Sequence, residues 1–389
     1  MIAPPSICVI HEAIGNQGAI ARVAMSGVRI ALDAGWRVSV VAKYLDPSLA
    51  DRVEWLRLYV PPRGFALKWL TAGAFIAQAL AGREFDVIYA HQPQAAPRAN
   101  VFQCHYLTRA ALKQSGIAAG AGLGARLSQA QERLVLRAED GCYRRRRPGC
   151  RMLFNSEMTQ ADFHRFYGRS REEEALILPC PQAKVSDDAE RTRSRIAMLG
   201  SDTTLPVVGF LGGAQPRKGL QRLLAVAVHE AELFILAGGA GSADFAAPDM
   251  AGRFRGVGYV KDTAAFFAAC DVLMVPSYYE PLGLVAMEAV AHGVPVIAAE
   301  EVGALPCLLR YGAGLRWDGQ SPIGPLVQKV VADRSTFAAG CARMAADCSE
   351  EHYARRLLTH FEAALRDKRG VLAQRACSLQ PDIAHATRS

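Results

Sequence analysis

Short, uniformly apolar runs alternate with longer amphipathic ones along this chain, and the alternation occurs twice. In the first half, runs at 6–10, 37–42, 54–60, 86–90, 100–104, 151–155 and 175–178 read as strands. Helical stretches at 18–34, 65–81, 123–139 and 157–167 lie between them. Strands apolar on both faces, each followed by a helix, imply a parallel sheet covered on both sides. The polar, charge-rich stretch 181–204 interrupts the pattern and reads as a linker. The pattern then restarts, with strands at 207–211, 233–237 and 255–259 and helices at 220–228, 263–269, 325–346 and 351–366. With 389 residues, the chain is long enough for two such α/β units. Their carboxyl edges would then border a cleft.

The stretch 276–298, PSYYEPLGLVAMEAVAHGVPVIA, carries the most chemistry. A buried strand (271–276) ends there, a loop bears Glu280, and a turn at Gly283 opens a helix on which Glu288 rides. Another apolar strand, 294–299, completes a βαβ unit. Ligands of open α/β sheets bind at the carboxyl ends of the strands. The N–H groups near Gly283 and Leu284 favour an anion there. A phosphate on the helix start, a ribose diol on Glu288 and sugar hydroxyls on Glu280 would suit a nucleotide sugar.

The string resembles the E-x7-E signature of retaining GT-B glycosyltransferases, the group 1 family, which runs S-x-x-E-x-x-G-hydrophobic-x-x-x-E-A-x-x-x-G-x-P-V. Ser277, Glu280, Gly283, Leu284, Glu288, Ala289, Gly293, Pro295 and Val296 occupy the matching positions. The resemblance implies two Rossmann-like doubly wound α/β domains facing across a cleft. The expected divisions are an acceptor domain at 1–182, a linker at 183–204, a donor domain at 205–349, a helix crossing back at 350–367 and a disordered tail at 368–389. It also implies that Glu280 serves catalysis and that Pro281, Leu282, Gly283, Leu284 and Glu288 bind the donor.

Other strand ends fit the same resemblance. Arg217 and Lys218, in FLGGAQPRKG, are placed to neutralise a diphosphate and the charge growing on the leaving group. Family members commonly carry Arg directly after the loop's first Gly. Gly213 stands there, and Arg217 is the candidate to compensate. His105 ends the strand NVFQCH and resembles the family's active-site histidine, which faces the donor sugar; His91 ends the strand before it. Gly18 and Ala19, in GNQGAIAR, resemble the Gly-rich loop near diphosphate and acceptor, although no G-x-G-x-x-G fingerprint is present. Gly239, Tyr259 and Val260 lie where the family borders the sugar and base.

Composition narrows the setting. Residues 1–182 hold 23 Lys and Arg against 15 Asp and Glu, whereas the remainder holds 22 of each, so the whole net charge of +8 lies in the first half. Arg144, Arg145, Arg146 and Arg147 form its densest cluster and suit an anionic membrane surface or a phosphorylated glycan. No nucleic-acid module accompanies the charge. The ten cysteines include no C-x-x-C pair and read as reduced thiols. No apolar run reaches the ~20 residues of a membrane span, and no signal peptide is evident. The expectation is a cytoplasmic enzyme, peripheral on the inner face of a membrane, acting on a glycan or glycolipid of lipopolysaccharide or exopolysaccharide type. The chain lacks a D-x-D sequence, and with Arg217 and Lys218 present this points to a reaction without metal or other cofactor. A nucleotide-sugar epimerase and a non-catalytic sugar-nucleotide-binding subunit of the same fold are the alternatives.

Overall fold

A computed structural model describes residues 3–378 apart from 17, 60–64, 115–122, 170–172, 176–178, 180, 182 and 201–202. Most of the Gly/Ala-rich stretch 115–124, three residues of the strand expected at 175–178, and residues 379–389 therefore lie outside the described residues.

Two parallel sheets carry the architecture. The first contains β1 (Ser6–Ile10), β2 (Arg37–Ala42), β3 (Glu54–Arg57), β4 (Val87–Ala90), β5 (Val101–Cys104), β6 (Arg151–Phe154) and β7 (Glu173–Ala175). Their spatial order is β3-β2-β1-β4-β5-β6-β7. The second contains β8 (Val207–Leu211), β9 (Phe234–Gly238), β10 (Phe254–Gly258), β11 (Val272–Val275), β12 (Val296–Ala299) and β13 (Gly314–Trp317), in the order β10-β9-β8-β11-β12-β13. Each sheet reverses its direction of growth beside its own first strand, between β1 and β4 and between β8 and β11. Such a switch opens a crevice at the carboxyl ends. β1 shows why these strands lack polar alternation. Ile7 and Val9 enter one apolar cluster while Cys8 and Ile10 enter another, and all four are fully buried.

The segment expected to be a linker is largely a helix, Asp188–Leu199, packed on the second domain. Asp187 caps it, accepting from the Glu190 N–H. Arg191 and Arg195 reach Asp271 at 2.9 and 2.6 Å, and Asp271 also accepts from the Val207 N–H at the start of β8. Two arginines take much of its inner face, so its composition imitates a linker. The single helix expected at 325–346 is two, Gly324–Ala332 and Arg334–Asp347, divided at Asp333. Helices Thr108–Gln114 and Leu305–Tyr311 and the edge strand β13 were not read from the sequence.

The last helix, Glu350–Ser378, lies against the first domain. The Tyr353 hydroxyl donates to Gln103 at 3.2 Å, and the Phe361 ring sits 5.0 Å from that of Tyr89 and 6.1 Å from that of Trp36. Arg356 and His360 both engage Glu174, Asp367 meets Arg151, and Lys368 donates to the Phe85 carbonyl. The tail expected from 368 is helical as far as Ser378. Once anchored, a helix gains a backbone hydrogen bond with each residue added, and the stretch VLAQRA contains neither Gly nor Pro.

Two outcomes test these contacts. Asp271→Asn leaves two poorly solvated arginines without a counter-charge and should destabilise the second domain by about 3 kcal/mol in urea denaturation. Bonds from His360 and Arg356 hold the Glu174 carboxyl at about 2, below the usual 4.5 of a glutamate. Its contribution is therefore complete above pH 4.5 and lost as pH falls toward 2. The melting-temperature gap between wild type and Glu174→Gln should narrow over that window.

Candidate functional site

The site grows from two loops at the carboxyl edge of the second sheet. After β8, a short turn at Pro216–Lys218 ends at Gly219, whose φ is +77°. A Cβ on Gly219 would lie 2.0 Å from the Pro276 carbonyl oxygen, so only glycine lets the basic turn dock beside the end of β11. The Tyr278 N–H donates to the Arg217 carbonyl at 2.9 Å. This docking brings the Lys218 ammonium into an ion pair with Glu280, with the Arg217 guanidinium 3.8 Å from the same carboxylate oxygen.

The backbone under Glu280 is held on both sides. Its N–H donates to the Glu301 carbonyl, its carbonyl accepts from the Gly303 N–H, and the Leu282 carbonyl accepts from the Ala304 N–H. From the first domain, the Ser156 and Thr159 hydroxyls both donate to the Pro281 carbonyl, and the Tyr279 hydroxyl donates to Asp162 at 3.2 Å. Ser156 also caps the helix Glu157–Tyr167. Gly283 then turns at φ +89° into the helix Leu284–Ala291.

Arg217, Lys218, Glu280, Pro281, Leu282, Gly283 and Leu284 together line one wall of a cavity of about 370 Å³. The opposite wall comes from the first domain, through Ala19, Ile20, His105, Tyr106 and Asn155. Glu288 is one turn deeper, in an adjoining pocket that shares Ala19 and Leu284 with this cavity. There the Arg22 guanidinium, on the first domain's helix Ala19–Asp33, lies 3.2 Å from Glu288. Burial raises the Glu288 carboxyl pKa, and Arg22 opposes that rise.

His91 and His105 share a buried hydrogen bond, Nδ1 to Nε2, at 2.9 Å, with their rings stacked. Burial pushes His105 down to about 3 and His91 far below its usual range, so both rings are neutral. The Asn155 amide donates to the His105 carbonyl and anchors that strand end. His91, His105, Gly18 and Ala19 line a larger cavity of about 860 Å³ in the first domain, continuous with the first through Ala19, Ile20, His105 and Tyr106.

Four expected residues lie outside both walls. Gly213, Gly239, Tyr259 and Val260 are at the same sheet edge but do not line these cavities. Tyr259 is 79% exposed, while Val260 packs toward Gly238. Of the basic cluster, Arg144, Arg145 and Arg147 are exposed, whereas Arg146 lies over the Phe163 ring. Arg145 borders a groove with Trp69 and Leu70. Among the described residues, no group of three His, Cys, Asp or Glu side chains could hold a metal ion, and no helix is long and apolar enough to cross a membrane.

Sequence reasoning missed Arg22, Asn155, Ser156, Thr159 and Glu139. Ser156 carries a readable helix-cap signal, but its reach to Pro281 is a contact over 125 positions. Arg22, one turn past Gly18, had a weak signal in its spacing from the Gly loop.

The family described as Glycosyl transferases group 1 matches residues 205–347, which contain both glutamates and the basic turn. Residues 205–347 are a group 1 glycosyltransferase domain. A D-inositol 3-phosphate glycosyltransferase of Mycolicibacterium vanbaalenii is 29% identical over 299 residues, covering 69% of this chain and 64% of that protein. The protein of the same name from Mycolicibacterium smegmatis is 30% identical over 280 residues, covering 67% and 62%. The chain thus spans somewhat under two thirds of the length of these curated relatives. Among solved structures, WaaG, a glycosyltransferase involved in lipopolysaccharide biosynthesis, superposes with a TM-score of 0.67 at 15% identity, covering 92% of this chain and 98% of that one. Anabaena HepE in complex with UDP-glucose gives 0.65 at 17% identity, covering 92% and 99%. The group 1 domain and its N-terminal companion together form a GT-B fold.

Two titrations check the electrostatics. His105 should show no imidazole titration by NMR between pH 5 and 8, a range lying wholly above its pKa of about 3. Arg22→Ala removes the charge that lowers Glu288, so the Glu288 carboxyl should titrate higher than in wild type.

Proposed function

We propose that this chain is a retaining, metal-independent glycosyltransferase that moves a hexosyl group from a nucleotide sugar to a glycan or glycolipid acceptor of the cell envelope. The observation that carries the reading is the cluster of Arg217, Lys218 and Glu280 at the start of the Gly283 helix, facing His105 across one cavity. Two cations and a helix N-terminus answer the charge of a departing diphosphate without a metal. Glu280 is held through its backbone by Glu301 and Gly303, and the next carbonyl, of Pro281, is held from the first domain, which suits holding sugar hydroxyls in one orientation. Glu288, a turn further in, suits the ribose diol; on donor binding it would exchange Arg22 for the ribose.

Among the described lining residues of that cavity, Glu280 is the one carboxylate, and it is engaged by Lys218 and Arg217. This favours front-face attack by the acceptor hydroxyl, with the leaving phosphate taking the proton, over a covalent carboxylate intermediate. The neutral His105 positions the transferred sugar from the first domain. The 860 Å³ cavity beside it is the place for the acceptor. The curated relatives are named for D-inositol 3-phosphate and WaaG for lipopolysaccharide biosynthesis, so the acceptor class is drawn from this chain's own surface. Exposed Leu67 and Leu70, with Arg145 beside Leu70 on one groove, favour work at an anionic bilayer.

Gly213 supports a second reading, a subunit that binds the donor without transfer. The atoms a Cβ there would meet first belong to the Gln215 side chain, which can move, and the backbone is not in the left-handed region, so it does not demand glycine in place of the usual arginine.

A thermal-shift panel of UDP-, GDP- and ADP-sugars with and without EDTA tests the donor site that both readings share, and a transfer and hydrolysis assay with the donor that binds separates them. Stabilisation by one class, unchanged by EDTA, is expected; no shift with any donor sinks both readings. Glu288→Ala should weaken donor binding about tenfold, and Lys218→Ala should lower kcat about 100-fold. Donor binding with neither transfer nor hydrolysis would favour the non-catalytic subunit. Anionic vesicles should bind wild type better than the variant with Arg144, Arg145 and Arg147 changed to Ala.

A further inference from the structure

One guanidinium joins the loops at the carboxyl edge of the second sheet. Arg222 is the third residue of the helix Leu220–Ala227, which follows the basic turn and Gly219. Its charged group lies 4.7 Å from the centre of the Tyr278 ring and 5.0 Å from that of Trp317. Nε donates to the Gly319 carbonyl at 3.0 Å, and Nη1 is 3.6 Å from a Glu301 carboxylate oxygen. Gly319 leaves room for this, since a Cβ there would fall 1.3 Å from Nη2. Tyr278 follows β11, Glu301 follows β12, Trp317 ends β13 and Gly319 comes just after it. A single side chain from the element after β8 therefore meets the ends of the three strands on that side of the switch.

Two of these contacts lead to Glu280. Tyr278 lies two residues before it, and its N–H is taken by the Arg217 carbonyl. Glu301 supplies the carbonyl that accepts the Glu280 N–H at 2.9 Å, and Gly303 returns an N–H to the Glu280 carbonyl at 2.8 Å. Arg222 thus meets one of the bridged segments by a ring face and the other by its charge. At 3.6 Å the Glu301 contact is a charge pair and not a hydrogen bond. A planar guanidinium can stack on aromatic faces while donating within its own plane, which an ammonium cannot do. Arg222 is not among the described residues lining the 370 Å³ cavity, so its influence on a bound sugar passes through Glu280.

We propose that Arg222 is a positioning residue for sugar transfer: held between Tyr278 and Trp317, it fixes the segments Tyr278–Glu280 and Glu301–Gly303 against each other and so sets where the Glu280 carboxylate stands. The role in transfer rests on the transferase reading, whereas the coupling to Glu280 stands on these contacts alone. Glu288, whose partner is Arg22 of the first domain, lies outside this set of contacts. Arg222 therefore governs turnover and leaves nucleotide affinity to Glu288 and the helix start.

The test measures amide hydrogen exchange and steady-state kinetics on the full chain, comparing wild type with Arg222→Lys and Arg222→Met. In both variants the Glu280 amide should exchange at least about tenfold faster. Their kcat should fall about 10- to 100-fold, with KM for the nucleotide sugar within about threefold of wild type. Asp271→Asn, which loosens the same domain at the amino edge of its sheet, is the control for stability alone; it should lower the melting temperature and keep kcat per folded molecule. Wild-type exchange at Glu280 in Arg222→Met overturns the proposal, and so does a loss of activity that merely tracks the folded fraction. If Arg222→Met fails to melt cooperatively, Arg222→Lys and Glu301→Gln, which removes the charge partner, decide instead. Faster exchange at Glu280 with wild-type kcat sinks the positioning role and leaves the transferase reading intact. Wild type without donor binding or turnover sinks the transferase reading and the role in transfer with it, while exchange at Glu280 still decides the coupling.

Discussion

The carbonyl of Pro281 is the point on which the two domains agree. It is buried, it belongs to the second domain, and it is satisfied by Ser156 and Thr159 of the first. A buried carbonyl without a partner carries a penalty of about 1–3 kcal/mol, so moving the domains apart requires water to take over at this point. Glu280 is the preceding residue, and its own backbone is tied to Glu301 and Gly303. The loop with the most chemistry is therefore among the least free to move, although it lies between strands at a sheet edge. Rigid support of this kind is what a reaction depending on position requires.

Electrostatic balance is the second organising element. Each glutamate of the signature already has a cation: Glu280 has Lys218 and Arg217, and Glu288 has Arg22. Arg22 is half exposed, so its pair contributes about 1 kcal/mol at most. It bridges the cleft, however, and a ligand diol reaching Glu288 has to displace it. The two histidines across the cleft show the opposite behaviour, being buried without any carboxylate in contact and remaining neutral. The basic turn and Glu280 thus face neutral histidines across the cleft, and the two cavities share Ala19, Ile20, His105 and Tyr106.

Much of this was legible in the residues themselves. Periodicity located most strands to within a residue or two because both faces of the central strands are buried, and the spacing of Glu280, Gly283 and Glu288 identified the loop and helix start. What escaped was of two kinds. The helix Asp188–Leu199 is stabilised by Arg191 and Arg195 on Asp271, so its polar sequence looks like a connector. The cross-domain contacts of Ser156, Thr159 and Arg22 depend on how two sheets are set against each other, and no local pattern encodes that. Glu139 was invisible for a similar reason, since on an amphipathic helix a glutamate reads as solvated until the cavity it borders is seen.

The route of the chain between its two halves has a consequence for what counts as a separable part. The helix Glu350–Ser378 begins after the second sheet is complete, yet Phe361 packs on Tyr89 and Trp36, and Arg356 and His360 meet Glu174. The first domain is finished by a helix that follows the whole second sheet in sequence. A fragment cut in the 183–187 region would leave an apolar face around Tyr89 open to water, and the remaining piece would carry an amphipathic helix with nothing to cover it. In genetic terms the two domains are nested, not serial, and a chimera joining this second domain to another first domain has to exchange the helix from Glu350 together with residues 1–182.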